Sequence, residues 1–298
     1  MEPQGHDPFL REDEFPWALS LERALLQLSG LESEEAVIAC EGRIDAIFMQ
    51  FLQKSQLRLP RPPHTPPLYL HVDIGRRLFE YLWNSKPRRF GEPFLLAEVV
   101  EAQRDADGHR PVGNCVGLTS LFSVLGLRAG LRLSLLVGAH HVLNRLRVGD
   151  RFLDLDHTDP LGFDCRIGEG FRELPLQALT ASVLNCRGLR RERSGRFEAA
   201  LQDYDMAVRI RPDYANAYNN RGNMKYRLGE LDGAVRDYGE AVRLNPSFAE
   251  AFCNRGMARH RLGDFEGARH DYVKALALDP ADEDARRCLK LLEASGDK

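Results

Sequence analysis

The chain has 298 residues, of which 43% are hydrophobic and 29% charged, and its formal net charge is −3. This length accommodates two domains of ordinary size, and the slightly acidic balance argues against a nucleic-acid-binding protein. No apolar run is long enough to span a bilayer, and the acidic N-terminal tail, residues 1–19, lacks a signal-peptide core, so we expect a soluble cytoplasmic protein without membrane contacts.

Helices are predicted for the first part of a domain that covers residues 20–175. One helix begins at Ser20. A long amphipathic helix follows Ser33, because serine is a common helix cap and glutamates occupy the next positions, in the first turn. Five prolines between residues 60 and 67 predict an extended connector. Two more helices are predicted within residues 72–85 and 93–105.

The segment GNCVGLTSLFSVLGL, residues 113–127, places a cysteine where a glycine-containing turn enters an apolar helix. If Asn114 caps this helix, Cys115 lies in its first turn, where unpaired N–H groups and the positive end of the helix dipole favour a thiolate. The same N–H groups can stabilise an oxyanion. A nucleophilic cysteine also needs a base and a group that orients the base.

Antiparallel strands are predicted after this helix, within residues 131–139, 141–148 and 151–158, because short apolar or alternating segments are separated by turn residues. The simplest connection between the last two is a two-residue turn at Gly149-Asp150. That turn fixes which residues of the two strands face each other, and therefore which side chains share a face.

The predicted register produces one polar face on the hairpin. This face carries His141, Arg145, Asp154 and Asp156. Asp154 lies opposite Arg145 and is neutralised by it, whereas Asp156 is diagonal to His141 and within reach of it. The inferred catalytic triad is therefore Cys115, His141 and Asp156.

Two alternatives stay open for the same residues. The polar face could be a solvent-facing surface with an ordinary cross-strand ion pair. A metal site could instead be formed by His140, His141, Asp154, Asp156, His157 and Cys165. Adjacent histidines on a strand point in opposite directions, however, and no ligand spacing recurs. The six cysteines show no CxxC pairing, which predicts free thiols, and thiolate chemistry needs no cofactor.

The order of cysteine at a helix start, histidine on a strand and aspartate on the next strand resembles the transglutaminase-like core. The motifs are GNC at 113–115, HVLNR at 141–145 and LDLDHTDPLGF at 153–163, and they are most similar to those of bacterial members of this family. The resemblance implies an α+β fold of papain-like architecture with helices before the core. It also implies attack on a peptide-like amide through a thioester.

Two residues depart from that pattern. Animal-type transglutaminases and many related peptidases have tryptophan beside the cysteine and two residues after the histidine, where this chain has Val116 and Leu143. Hydrolysis and acyl transfer therefore remain equally open, because one thioester intermediate serves both. The alternative function is a non-catalytic adaptor that keeps the core as a scaffold.

The C-terminal third of the chain repeats with a period of 34 residues. Three copies align at Gly188, Gly222 and Gly256; Tyr204, Tyr238 and Tyr272; and Pro212, Pro246 and Pro280. This pattern resembles the tetratricopeptide repeat, which implies an α-helical solenoid of helix pairs over 181–214, 215–248 and 249–282, followed by a capping helix and tail in 283–298.

The resemblance implies that a protein or peptide partner binds the concave face of the repeats. Asn220 and Asn254 share one repeat position there, and their amides are candidates for hydrogen bonds to the backbone of an extended peptide. The alternative is that asparagine is simply common at this position.

Overall fold

The computed structural model of the chain describes residues 21–31, 33–59, 68–85, 92–105, 112–138, 141–165 and 170–295. The predicted N-terminal tail, the proline-rich connector at 60–67 and His140 lie outside these residues. The chain divides into two compact units, Met1–Val183 and Leu184–Lys298. Across the described ranges, no helix combines the length and apolar character that a membrane span requires.

Five helices and a four-stranded sheet form the described part of the first unit. They are α1 (Leu21–Leu28), α2 (Glu34–Ser55), α3 (Leu68–Ser85), α4 (Leu96–Arg104), α5 (Cys115–Arg128), β1 (Leu133–Val137), β2 (Val142–Val148), β3 (Arg151–Leu155) and β4 (Arg172–Leu174). Ser33 caps α2 as predicted, since its side chain accepts from the N–H of Ala36. Helix α3 begins four residues before its predicted start, directly after two prolines in the sequence, which are compatible with a helix start.

Helix α5 is the centre of this unit. Every residue from Val116 to Gly126 is buried, and the helix packs against α1, α3, α4 and strands β1 and β2. A helix that is apolar on all sides needs a cover on all sides, and these elements provide it. The two ends of the helix are more accessible: Cys115 at its start is partly exposed, and Leu127 near its end is exposed.

The sheet is antiparallel and has the strand order β3-β2-β1-β4. The β2–β3 hairpin has the predicted register, with Val148 opposite Arg151 and Arg145 opposite Asp154. Gly149 in the turn has a φ of +61°, a conformation that glycine adopts without strain. Strand β4, which pairs with β1, was not predicted from the sequence.

The solenoid prediction is confirmed for the C-terminal third. Its helices are α6 (Ala178–Arg193), α7 (Phe197–Ile210), α8 (Ala215–Arg227), α9 (Leu231–Leu244), α10 (Ala249–Leu262), α11 (Phe265–Leu278) and α12 (Glu283–Ser295). In each repeat, a glycine of the first helix faces a buried tyrosine of the second. A Cβ atom on Gly222 would lie 2.7 Å from Cε1 of Tyr238, so the helices approach too closely for a larger residue. Gly188 with Tyr204 and Gly256 with Tyr272 repeat this contact.

Candidate functional site

The start of α5 has the predicted cap. The side chain of Asn114 accepts a hydrogen bond of 3.0 Å from the N–H of Gly117, and the first helical bond runs from Leu118 N–H to the Asn114 carbonyl. The N–H groups of Cys115 and Val116 precede that bond, so helix geometry gives them no partner within the helix. Cys115 is thus placed beside two donors at the positive end of the helix.

A buried hydroxyl one turn further along connects α5 to the strand that follows His141. Oγ1 of Thr119 donates to the carbonyl of Val142 at 3.0 Å, and Thr119 is fully buried. Because Thr119 lies four residues after Cys115, both side chains occupy the same side of the helix. This bond holds the start of β2, and with it His141, against the end of α5 that carries Cys115.

The three residues of the predicted triad lie together. Nε2 of His141 lies 3.1 Å from Oδ1 and 3.2 Å from Oδ2 of Asp156, and Cys115 lies close enough to His141 to contribute to its raised pKa. His141 immediately precedes β2 and Asp156 immediately follows β3. With Nε2 directed at the carboxylate, the other ring nitrogen is the one that can serve the sulfur.

The electrostatic state of this pair follows from its contacts. The hydrogen bonds to Asp156 and to Cys115 raise the pKa of His141 to about 10, despite partial burial. Burial alone would raise the pKa of Asp156, but the hydrogen bonds from His141 and Thr158 outweigh it and lower that pKa well below its usual range. At neutral pH the two groups are therefore an imidazolium and a carboxylate.

A tight loop after β3 fixes Asp156. Its backbone N–H donates to the carbonyl of Gly162 at 2.8 Å, and a Cβ atom on Gly162 would lie within 2.2 Å of the Asp156 carbonyl oxygen. The N–H and the hydroxyl of Thr158 both donate to Oδ1 of Asp156. The glycine in LDLDHTDPLGF is thus required by a close backbone approach.

Asp154 has the neutralised role that the register predicts. Nε of Arg145 lies 2.6 Å from Oδ1 of Asp154, and Nη1 of Arg145 lies 2.9 Å from Glu173 of β4. The two aspartates therefore have different partners: Asp154 binds Arg145, and Asp156 binds His141.

A second polar group, on the opposite face of the hairpin, was missed in the sequence. Nε2 of His157 lies 2.8 Å from the side-chain Oδ1 of Asn144, and Nδ2 of Asn144 donates to Oγ of Ser123 in α5 at 2.8 Å. All three residues are buried. His157 therefore belongs to a core polar network. The signal was Asn144 itself, a polar residue in phase with the apolar positions of β2.

The metal alternative gains no support from the described residues. Across those residues, which leave out His140, no group of three or more histidine, cysteine, aspartate or glutamate side chains is arranged to hold an ion. All six cysteines are free thiols. Cys165 donates to the carbonyl of Asp154 at 3.4 Å, and burial raises its pKa.

Each repeat of the second unit contains a buried aspartate held by two cations. In the middle repeat, Oδ1 of Asp237 lies 2.5 Å from Arg221 and Oδ2 lies 2.8 Å from Lys225. The same arrangement recurs with Arg187, Arg191 and Asp203, and with Arg255, Arg259 and Asp271. This 34-residue period of charges was present in the sequence and was not recognised.

The predicted binding asparagines are part of a network between repeats. The side-chain Nδ2 of Asn220 donates to Oδ1 of Asn185 at 2.9 Å. Nδ2 of Asn254 donates to Oδ1 of Asn219 at 3.1 Å and to Oδ1 of Asn223 at 3.2 Å. Asn220 and Asn254 are partly exposed. Their NH₂ groups therefore take part in bonds within the solenoid.

Comparisons with known families concern this second unit. Residues 193–229 and 222–263 match a family model described as TPR repeat, and residues 249–282 match one described as tetratricopeptide repeat. The helical array is therefore a tetratricopeptide repeat (TPR) array. No curated protein sequence matches the chain significantly.

Solved structures similar to the TPR array include three further TPR domains. The first TPR of Spaghetti (RPAP3), bound to the HSP90 peptide SRMEEVD, is 28% identical with a TM-score of 0.40, over 41% of this chain and 96% of that chain. The second TPR domain of human RPAP3, in complex with the HSP70 peptide SGPTIEEVD, is 26% identical with a TM-score of 0.37, over 40% and 96%. The Arabidopsis OM64 TPR domain is 24% identical with a TM-score of 0.39, over 40% and 98%.

Proposed function

We propose that the first unit is a transglutaminase-like cysteine hydrolase or acyltransferase that acts on a peptide-like amide through a thioester. The observation that carries this proposal is the contact chain from Cys115 through His141 to Asp156. It supplies a thiol at a helix start, a histidine beside it and a carboxylate that fixes the ring, which are the three roles that nucleophilic catalysis requires.

The proposed reaction begins with the imidazolium form of His141. The Cys115 thiolate attacks the amide carbonyl carbon, and the N–H groups of Cys115 and Val116 stabilise the oxyanion. His141 then gives its proton to the leaving amine as the carbon–nitrogen bond breaks, which leaves a thioester on Cys115 and a neutral imidazole. Water or a second amine attacks the thioester, His141 takes the proton of the attacking group, and the thiolate leaves.

Asp156 acts on the ring and not on the substrate. Its carboxylate accepts from Nε2 of His141 and so keeps the other ring nitrogen directed toward Cys115. It also stabilises the imidazolium by charge, in keeping with the raised pKa of His141. The thiolate chemistry needs no bound cofactor.

The experiment is acylation by p-nitrophenyl acetate, a general acyl donor, followed by peptide mass spectrometry. We expect an acetyl group on Cys115 and a burst of p-nitrophenolate, with turnover limited by hydrolysis of the thioester. Cys115→Ala should abolish the burst, whereas Cys165→Ala, which changes another partly buried cysteine of the same unit, should leave it intact. Acetylation spread over several cysteines, or absent from Cys115, would contradict the proposal.

A second candidate function is a non-catalytic adaptor. It is favoured by the two positions at which related enzymes have tryptophan. In this chain they hold Val116 and Leu143, which are only 5% and 2% exposed. Side chains so buried cannot line a substrate channel, so the two positions serve the core here. The same acylation experiment separates the candidates, since an adaptor gives no burst.

We also propose that the TPR array binds an extended segment of a protein partner. Its support is the asparagine network, which fixes the orientation of the Asn220 and Asn254 amides and leaves their oxygens to accept from peptide N–H groups. The test is capture of partners by the full chain. Asn220→Ala with Asn254→Ala should reduce capture of a specific partner at least about tenfold, the effect of about 1.4 kcal/mol. Asn84→Ala, at an exposed position of α3, is the control, and equal capture by the double variant would contradict the proposal.

A further inference from the structure

Asp156 receives an additional donor that the three-residue arrangement does not require. Oγ1 of Thr158 donates to Oδ1 of Asp156 at 2.6 Å, and the N–H of Thr158 donates to the same oxygen at 2.9 Å. With Nε2 of His141 at 3.1 Å, three donors converge on one carboxylate. Charge-assisted hydrogen bonds of this kind are stronger than neutral ones.

The two bonds from Thr158 have separable consequences. The N–H bond closes the turn after β3 and is available to almost any residue at this position. The hydroxyl bond is not needed to fix the backbone conformation of the turn. Backbone hydrogen bonds between Asp156 and Gly162 and between Asp159 and Gly162 already hold it. What the hydroxyl restricts is rotation of the Asp156 carboxylate about its own Cβ–Cγ bond.

We propose that Thr158 is a positioning residue that holds the Asp156 carboxylate in the rotamer that engages His141. Its importance for catalysis rests on the proposed function of Cys115. Its effect on His141 does not, because the contact from Thr158 through Asp156 to His141 exists whether or not the cysteine reacts.

Among the described residues, Asp156 and Cys115 are the groups that raise the pKa of His141. A change at Thr158 therefore reaches His141 through Asp156. The neighbouring acid Asp159 accepts instead from the N–H of Leu161, and Arg145 is engaged by Asp154 and Glu173. The raised pKa of His141 therefore reports mainly on how well Asp156 is held.

The test compares Thr158→Val with Thr158→Ser in the full chain by NMR of the histidine rings. Valine keeps the shape and the backbone N–H but removes the hydroxyl, whereas serine retains it. We expect His141 in Thr158→Val to lose its proton about one pH unit lower than in wild type, the equivalent of one modest hydrogen bond. Its hydrogen-bonded Nε2–H signal should also broaden or vanish, and Thr158→Ser should restore both within about 0.3 pH units.

Every outcome decides the proposal. An unchanged His141 midpoint in Thr158→Val would mean that the hydroxyl only stabilises the turn, and a raised midpoint would mean that it weakens the carboxylate's charge without orienting it. Either result overturns the positioning role. Failure of the proposed function would appear separately, as a missing acetylation burst in the wild-type protein with the NMR effect intact.

Discussion

Thr119 of the central helix and Val142 of β2 are joined by a hydrogen bond of 3.0 Å between a buried hydroxyl and a backbone carbonyl. This bond links the helix that begins with Cys115 to the strand that follows His141. The distance between the candidate nucleophile and its base therefore depends on a residue that has no chemical role in the proposed reaction. Preorganisation of this kind is what separates a reactive pair from two neighbouring side chains.

Loss of this link should affect both stability and reactivity. We expect Thr119→Val to cost about 1–3 kcal/mol, because the carbonyl of Val142 is left buried and unpaired, and to slow acylation of Cys115. Ser120→Ala is the matched control, since Ser120 is also fully buried but bonds to Val116 in its own helix. Chemical denaturation and the burst rate measure the two effects, and equal behaviour of the two variants would contradict the link.

The buried aspartates of the TPR array should contribute more to the free energy of unfolding than exposed aspartates that bind the same arginine. Arg221 contacts Asp237, whose side chain is 5% exposed, and Asp205, whose side chain is 40% exposed. Asp237→Ala should cost about 3–5 kcal/mol, because it leaves buried cations without their counter-charge. Asp205→Ala should cost about 0–1 kcal/mol. Hydrogen exchange of amides in α8 and α9 checks the difference, and comparable protection in both variants would refute it.

Two glycines of the middle repeat should respond to alanine with opposite signs. A Cβ on Gly222 would meet the ring of Tyr238, whereas one on Gly239 would meet only Nη1 of Arg255, at 4.0 Å. Gly222→Ala should destabilise the repeat by about 1–3 kcal/mol through overpacking. Gly239→Ala should stabilise it by about 0.5–1 kcal/mol through helix propensity. The same exchange experiment resolves the signs, and a stabilised Gly222→Ala protein would show that the close approach is unimportant.

The His141–Asp156 pair predicts a pH-dependent stability of the first unit. The folded pKa of His141 is about 10, above its ordinary value of 6.5, so its contribution is complete below pH 6.5 and is lost as pH rises toward 10. The pKa of Asp156 is lowered from its ordinary value of 3.8, so the stabilising contribution of this carboxylate is lost only when the pH falls below 3.8. His141→Gln should therefore destabilise the unit by about 1–2 kcal/mol at pH 6 and by much less at pH 10. A difference that does not depend on pH would contradict this sign.

The sequence predicted the site where local rules decide the structure. The Gly149-Asp150 turn fixed the hairpin register, and the register placed Asp154 against Arg145 and Asp156 near His141. The repeat period similarly predicted the helix pairs, because each glycine recurs with its tyrosine.

Features that depend on distant contacts were not predictable in the same way. Strand β4 has three residues and no periodicity of its own, and it is defined only by pairing with β1. The tie between Thr119 and Val142 joins residues whose proximity depends on tertiary packing. The asparagine network was not predicted either, because the bonds from Asn220 and Asn254 join residues of neighbouring repeats that are 35 positions apart in the sequence.

The central claim is that Cys115 is a nucleophile activated by His141, and alkylation by iodoacetamide as a function of pH tests it most directly. Peptide mass spectrometry follows Cys115 and, as an internal reference, Cys165, whose pKa is raised by burial. At pH 6 we expect Cys115 to react at least about a hundredfold faster than Cys165. His141→Ala should abolish this advantage, and His140→Ala should preserve it. If Cys115 and Cys165 follow the same pH dependence, or if His141→Ala leaves the Cys115 rate unchanged, the catalytic account is wrong.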